Sequence, residues 1–248
     1  MQASIFIPCL IDRFLPEIGR STVRLLEALG VTVSYDPRQT CCGQPAFNAG
    51  HPEEAVHLAR RMLQIFDGEH PVVSPSGSCV AMVRTMYGLL DLPEEDLRRW
   101  NKLRANLFEL SEFLVRDDLI GGLVARRQGR AVIHHSCHHL RHTGGRIPLL
   151  SVLEKVAGIE IIESPEAQAC CGFGGIFSAK LPELSKAIGT ARLDAMLAHD
   201  PDYIVLADAG CILHLRGLLS GRPGNAKPPV IHYAQLLADP DLGAGGTP

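Results

Sequence analysis

Eight cysteines fall into two quartets of matching spacing. Cys9, the adjacent pair Cys41-Cys42 and Cys79 follow the pattern C-x31-CCG-x35-C. Cys137, the pair Cys170-Cys171 and Cys211 follow C-x32-CCG-x38-C, and no cysteine is left over. Thiolates are soft ligands, and four gathered at one pocket favour zinc or an iron–sulfur cluster over magnesium or calcium. The adjacent pair bears on that choice. Zinc fingers and knuckles place roughly two to four residues between paired cysteines, whereas a cluster holds several irons, so neighbouring thiolates can point at different metal atoms. Gly43 and Gly172 follow the two pairs. Glycine there permits a tight or left-handed turn and a close backbone approach to a bulky inorganic core, so both are expected to bind the cofactor. A structural zinc in one or both halves is the alternative. A vicinal disulfide at either pair would not explain why Cys9 and Cys79 recur as Cys137 and Cys211.

Five histidines, His134, His135, His138, His139 and His142, surround Cys137. Imidazole ligates iron or zinc, yet no histidine lies near Cys9, which excludes a ligand role required in both halves. His134 and His135 are expected to end a strand. His139 and His142 are expected to be exposed or to hydrogen-bond to sulfur, and His138 alone is kept as a metal-site candidate. His51, His57, His70, His199 and His232 carry no motif, and surface or packing roles suffice for them.

The elements that must position the cysteines repeat with them. Pro52 and Pro182, like Pro71 and Pro201, keep an offset of 130 residues, close to the 128 to 132 that separates the cysteines. A period this long means two copies of a domain rather than a solenoid. Short apolar or β-branched runs at Ser4 to Pro8, Val31 to Tyr35 and Val72-Val73 predict strands in the first half. Ala131 to His134, Ile159 to Ile162 and Tyr203 to Leu206 are their counterparts. The first of each set ends just before a cysteine, and the last is followed by a small-residue turn, Ser76-Gly77-Ser78 before Cys79 and Asp208-Ala209-Gly210 before Cys211. Pro52 to Phe66 and Pro182 to Leu197 carry helical patterning, and Pro93 to Asp117 reads as one or two helices closing the first half. Strands alternating with helices predict an α/β fold: two tandem copies of a Rossmann-like, largely parallel α/β domain related by internal duplication. Ligands of open α/β sheets sit outside the carboxyl ends of the strands, where the cysteines would gather. Gly121-Gly122 and Arg126 to Arg130 read as a linker or solvated turn. The expected domains are 1–125 and 130–240, with 241–248 a disordered tail.

The chain has 248 residues, 46% hydrophobic and 21% charged, with a formal net charge of −3. Disorder and a coiled-coil rod are excluded by that balance, and the charge gives no case for nucleic acid as a partner. The longest apolar runs fall far short of the roughly 20 residues of a transmembrane segment. No secretory leader is read at the N-terminus, so the expected compartment is the cytoplasm, where thiols stay reduced and four structural disulfides are not expected. Nucleotide-binding glycine fingerprints, phosphate loops, the His-Glu-x-x-His helix and the close-spaced ferredoxin run are all missing. Electron transfer through such a chain would require partners.

Duplicated Cys…Cys-Cys-Gly…Cys resembles the cysteine-rich (CCG) domain family of iron–sulfur oxidoreductase subunits over nearly the whole chain. Ile7-Pro8-Cys9, Ser76-Gly77-Ser78-Cys79 and Cys170-Cys171-Gly172-Phe173-Gly174-Gly175 are most similar to its lactate-utilisation branch. The resemblance implies that all eight cysteines are metal ligands, holding one or two iron–sulfur clusters of the 4Fe-4S kind. It implies an electron-transfer subunit of an NAD-independent complex oxidising L-lactate to pyruvate, with a ferredoxin-like iron–sulfur protein and a third subunit as partners. The family's heterodisulfide reductase members end each site with Cys-x-x-Cys. Here the final position holds Met82 and His214, which weakens a five-cysteine, noncubane centre. A thiol–disulfide reductase subunit and a zinc-stabilised scaffold are the alternative functions.

Overall fold

The computed structural model describes residues 1–164, 166–224 and 227–238. Two four-stranded parallel sheets organise the chain. The first has strands β1 (Gln2–Ile5), β2 (Thr32–Tyr35), β3 (Val72–Ser74) and β4 (Leu107–Glu109) in the order β2-β1-β3-β4. The second has β5 (Ala125–Ile133), β6 (Val156–Glu163), β7 (Tyr203–Leu206) and β8 (Val230–His232) in the order β6-β5-β7-β8. Same order and same parallel sense make each half a copy of the other, as the cysteine spacing predicts. Equivalent backbone bonds confirm the register. Phe6 N–H donates to the Val73 carbonyl at 2.9 Å, and its counterpart His134 N–H donates to Val205 at 3.0 Å.

The structure departs from expectation in three places. Arg126 to Arg130, expected as a linker, lies inside β5; that end of the strand is only partly covered, Arg126 is exposed, and Arg130 pairs with Glu160 at 3.1 Å. Within 93–117 a buried strand, β4, separates two helices, Glu94–Asn106 and Leu110–Arg116. The third is β8, its counterpart in the second half. The expected disorder of 241–248 lies outside the described residues.

The halves share their interior. Helix Pro16–Ala28 starts on a proline at its first position and buries Ile18, Thr22, Leu25 and Leu26 along one face. It packs on helix Tyr233–Ala238 of the other half, and helix Leu110–Arg116 packs on Arg146–Leu153. One continuous core therefore joins Leu26, Phe113 and Leu114 to Leu149, Leu153, Tyr233 and Leu236. Ile11, Leu15 and Ile18 extend into the core under the second sheet, against Val132, Ile212 and Leu215. None of the described helices is long and apolar enough to cross a membrane.

Candidate metal centre

Each cysteine occupies the carboxyl end of its sheet. Cys9 and Cys137 open the short helices Cys9–Phe14 and Cys137–Thr143, directly after β1 and β5. Cys79 and Cys211 lie in the first turns of helices Gly77–Arg84 and Ala209–Ser220, after β3 and β7. The Cys-Cys-Gly turns close the set from the loops after β2 and β6.

All eight cysteines line one cavity of about 190 Å³. Ser76, Ser78, Ser136, His138, Phe173 and Asp208 complete much of its wall. The two quartets face each other across it, and Asp208 ties the halves together there. Its Oδ1 accepts from Ser76 Oγ at 2.9 Å, Ser78 N–H at 3.0 Å and Ser78 Oγ at 2.6 Å. Two glycines make room here, Gly77 between the halves and Gly210 within the second. A Cβ on Gly77 would lie 2.3 Å from Cβ of His139, and one on Gly210 would lie 2.5 Å from the Phe173 ring.

Within each quartet the thiols form a chain in the same order. Cys41 interacts with Cys9 and Cys42, and Cys42 with Cys79; Cys170 interacts with Cys137 and Cys171, and Cys171 with Cys211. The Cys171 and Cys211 sulfurs are 2.8 Å apart. Hydrogen bonds from Cys42 and Cys9 pull the Cys41 thiol down to about 3. Those from Cys137 and Cys171 pull Cys170 down to about 2. Donating to these two pushes Cys9, Cys42, Cys137 and Cys171 up, with burial acting in the same direction. In each quartet the first cysteine of the adjacent pair is thus the thiol that its neighbours help to ionise. That is the behaviour of a ligand set in which a soft cation would replace the shared protons.

Gly43 and Gly172 both adopt φ +87°, the left-handed turn expected of them. Their side-chain-free faces do not line the cavity. A Cβ on Gly172 would meet the Ser185 carbonyl oxygen at 2.4 Å, and one on Gly43 the Ala55 carbonyl oxygen at 3.4 Å. Glycine is needed there for the turn and for the helix behind it, not to make room for an inorganic core. Toward the site each contributes its backbone: Gly43 N–H donates to Cys41 Sγ at 3.4 Å, and Gly172 N–H to Cys170 Sγ at 3.3 Å. Met82 is buried in the first half's apolar core beside Phe6 and Leu63. His214 turns to Ser185, its Nε2 3.5 Å from Oγ. Neither lines the cavity.

Among the histidines, His138 reaches the cavity with Nδ1 3.6 Å from Cys137 Sγ. His139, expected to be exposed or bonded to sulfur, is instead buried away from the cavity wall, with Nε2 3.3 Å from Oε2 of the fully buried Glu109. Burial opposes its charge, but the carboxylate outweighs burial and raises its pKa. Sequence reasoning missed His134. A ring nitrogen of His134 and the sulfurs of Cys171 and Cys211 all lie within 4.8 Å of one another. Arg192, itself buried, donates from Nε to His134 Nδ1 at 3.1 Å and from Nη1 to Ser164 Oγ at 2.7 Å. Burial, with Arg192 beside it, lowers the His134 pKa to about 3. The available signal was the contrast at matching positions: Phe6 and Met62 in one half, His134 and Arg192 in the other.

Fold and site together define a duplicated parallel α/β protein whose two thiolate pockets share one cavity. Residues 3–84 and again 131–216 match the cysteine-rich domain (CCG) family, and the chain belongs to that family in two copies. Lactate utilization protein A of Geobacillus kaustophilus is 38% identical over 239 residues, covering 96% of this chain and 98% of that protein. Its Bacillus subtilis namesake is 35% identical over 237 residues, covering 96% and 99%. A crystal structure of a hypothetical protein from Helicobacter pylori superposes with a TM-score of 0.63 at 10% identity. It covers 95% of this chain and 48% of that one, a likeness of fold alone.

Proposed function

We propose that the chain holds an iron–sulfur cluster at each quartet, Cys9, Cys41, Cys42, Cys79 and Cys137, Cys170, Cys171, Cys211. On this reading it is the electron-transfer subunit of a cytoplasmic, NAD-independent complex that oxidises L-lactate to pyruvate. The observation that carries the reading is the meeting of eight thiols, two sets in identical order, at one cavity. The lactate-utilisation part rests on relatives named for it that match nearly end to end. Four thiolates suffice for a 4Fe-4S centre, which takes up and releases one electron at a time when bound. Oxidation of lactate releases two electrons, which two such centres can relay. Gly43 and Gly172 would serve the centres through their N–H donors, and the remaining residues hold the sulfurs and exclude water. A ferredoxin-like iron–sulfur protein and a third subunit would deliver or receive the electrons.

The cavity shared by both quartets favours one further reading, a thiol–disulfide reductase subunit whose substrate lies between the centres. Anaerobic purification with iron, acid-labile sulfide and zinc analysis tests the cluster assignment; a colourless chain with stoichiometric zinc alone overturns it in favour of a scaffold. Reconstitution with the partner subunits then compares lactate-dependent dye reduction with disulfide reduction. Lactate is expected to reduce the centres, and failure to do so beside active disulfide reduction would replace the first reading by the second.

A further inference from the structure

The layer behind the cysteines is not duplicated. In the first half Phe6 packs edge-on against Phe66 at 5.8 Å, with Met62 in the same apolar cluster. In the second half the corresponding places hold His134 and Arg192. Arg192 is 2% exposed and His134 fully buried. The guanidinium spends its N–H groups on His134 Nδ1, Ser164 Oγ and the Ile133 carbonyl, at 3.1, 2.7 and 3.3 Å.

This arrangement fixes a tautomer. A guanidinium only donates, so Nδ1 of His134 is a bare acceptor and the ring proton sits on Nε2. Nε2 is buried and has no hydrogen-bond partner among the described residues. The ring has a nitrogen within 4.8 Å of the Cys171 and Cys211 sulfurs, and Nδ1 is already engaged by Arg192. If Nε2 bound iron instead, both ring nitrogens would be lone-pair donors and the imidazole would have to lose its last proton.

We infer that, once the second centre is bound, His134 is an N–H donor to its sulfurs, held in that tautomer by Arg192, and that it raises this centre's reduction potential above that of the first. The inference rests on the cluster assignment made above. Hydrogen bonds to cluster sulfur and nearby positive charge both favour the more negative, reduced state. Arg192 is within electrostatic reach of Cys171 as well as of Glu166, so its charge acts in the same sense as the N–H. Phe6 and Met62 offer the first centre neither. Reduction adds one electron to the sulfur-rich core, while the proton stays on Nε2 and no bond breaks. Electrons entering at the first quartet would thus run downhill to the second.

The full chain is loaded anaerobically with ferrous iron and sulfide and analysed for both. A chain that takes up neither overturns the cluster assignment, and this inference with it, before any potential is read. In the loaded protein, ¹⁵N-histidine labelling with pulsed EPR is expected to show weak nitrogen coupling at one centre, and an exchangeable deuteron there in D2O. Coupling strong enough for an iron–nitrogen bond, or none at either centre, overturns the donor role without touching the cluster assignment. In redox titration, His134→Phe is expected to lower the higher-potential wave by at least a tenfold change in the one-electron equilibrium, about 59 mV. The lower wave and the iron content should not move, and His134→Gln, which keeps an N–H, should recover part of the shift. An unchanged upper wave, or an equal fall of both, overturns the inference. His138 Nδ1 lies 3.6 Å from Cys137 Sγ at the same centre, so the labelled measurement is made on His138→Ala as well. Coupling that persists there is expected from His134 and decides the matter even if the phenylalanine variant does not fold, and coupling lost with His138 overturns the donor role.

Discussion

Behind Cys42 the first half keeps a dry layer of Phe6, Met62 and Phe66; behind Cys171 the second half keeps His134, Arg192 and Ser164. The backbone frame is the same in both, down to the Phe6 and His134 bonds to the central strand. A second contrast lies at the strands that end the two sheets. In the first half Glu109 accepts from Ser111 N–H at 2.8 Å and Glu112 accepts from Glu109 N–H at 3.4 Å. In the second, His232 Nδ1 accepts from Ala234 N–H at 3.1 Å and Gln235 accepts from His232 N–H at 3.1 Å. The same reciprocal cap is thus built once from two carboxylates and once from an imidazole and an amide. Duplication preserves the places where a donor meets an acceptor while the chemistry filling them changes, and the change is largest where the two pockets could come to differ.

The sharpest break of the comparison is at the thiols. Cys42→Ser and Cys171→Ser are each expected to leave folded protein that has lost one centre's iron and retains the other's. Iron analysis beside circular dichroism reads this, and unchanged iron in both variants would contradict the ligand assignment. Exchanging the layer behind them should be less drastic but costly in both directions. Met62→Arg places a charge among apolar side chains with no prepared acceptor, and should cost several kcal/mol, about 3 or more. Arg192→Met strands His134 Nδ1 and Ser164 Oγ, and should cost about 2 kcal/mol. Urea midpoints measure both, and a neutral Met62→Arg would show the first layer to be less dry than its packing.

Acid should separate the two caps. Burial lowers the His232 pKa from its usual 6.5 to about 4. Between those values the unfolded chain binds a proton that the folded chain refuses, so the stabilisation is complete above pH 6.5 and drains away as pH falls toward 4. The loss is on the order of 3 kcal/mol. Burial opposes the charge on Glu109, but His139, Ser111 and Tyr233 still hold its carboxyl below the usual 4.5, so its contribution is lost only under stronger acid. Unfolding midpoints between pH 7.5 and 4 should fall less steeply in His232→Asn than in the wild type; equal slopes would remove His232 from the account. The smallest effect belongs to the caps' outer members, where Glu112→Ala and Gln235→Ala should each cost about 1 kcal/mol. A cost in one half only would show that the caps are alike in geometry but not in worth.

The cysteine spacing made the duplication, the parallel α/β class and the convergence of the thiols legible, because each cysteine follows a strand whose apolar run is plain. Strands β4 and β8 were hidden for a physical reason. Three residues, Leu107–Glu109 or Val230–His232, are too few to show alternation, and both strands run straight into helices. Arg126 to Arg130 read as solvated because charge in sequence says nothing of backbone pairing. His134 read as the end of a strand because its significance depends on Arg192, 58 residues away. Glu109 and His139 belong to opposite halves and carry no motif in either.

The clasp at Asp208 has a kinetic consequence. Its hydrogen bonds of 2.6 to 3.0 Å to Ser76 and Ser78 join the rims of the two pockets, and the described residues of both halves share one buried interior. On the proposed reading, a charge crossing from one pocket to the other waits on no closing motion. Its transit time is set by the atoms in between and should be indifferent to solvent viscosity.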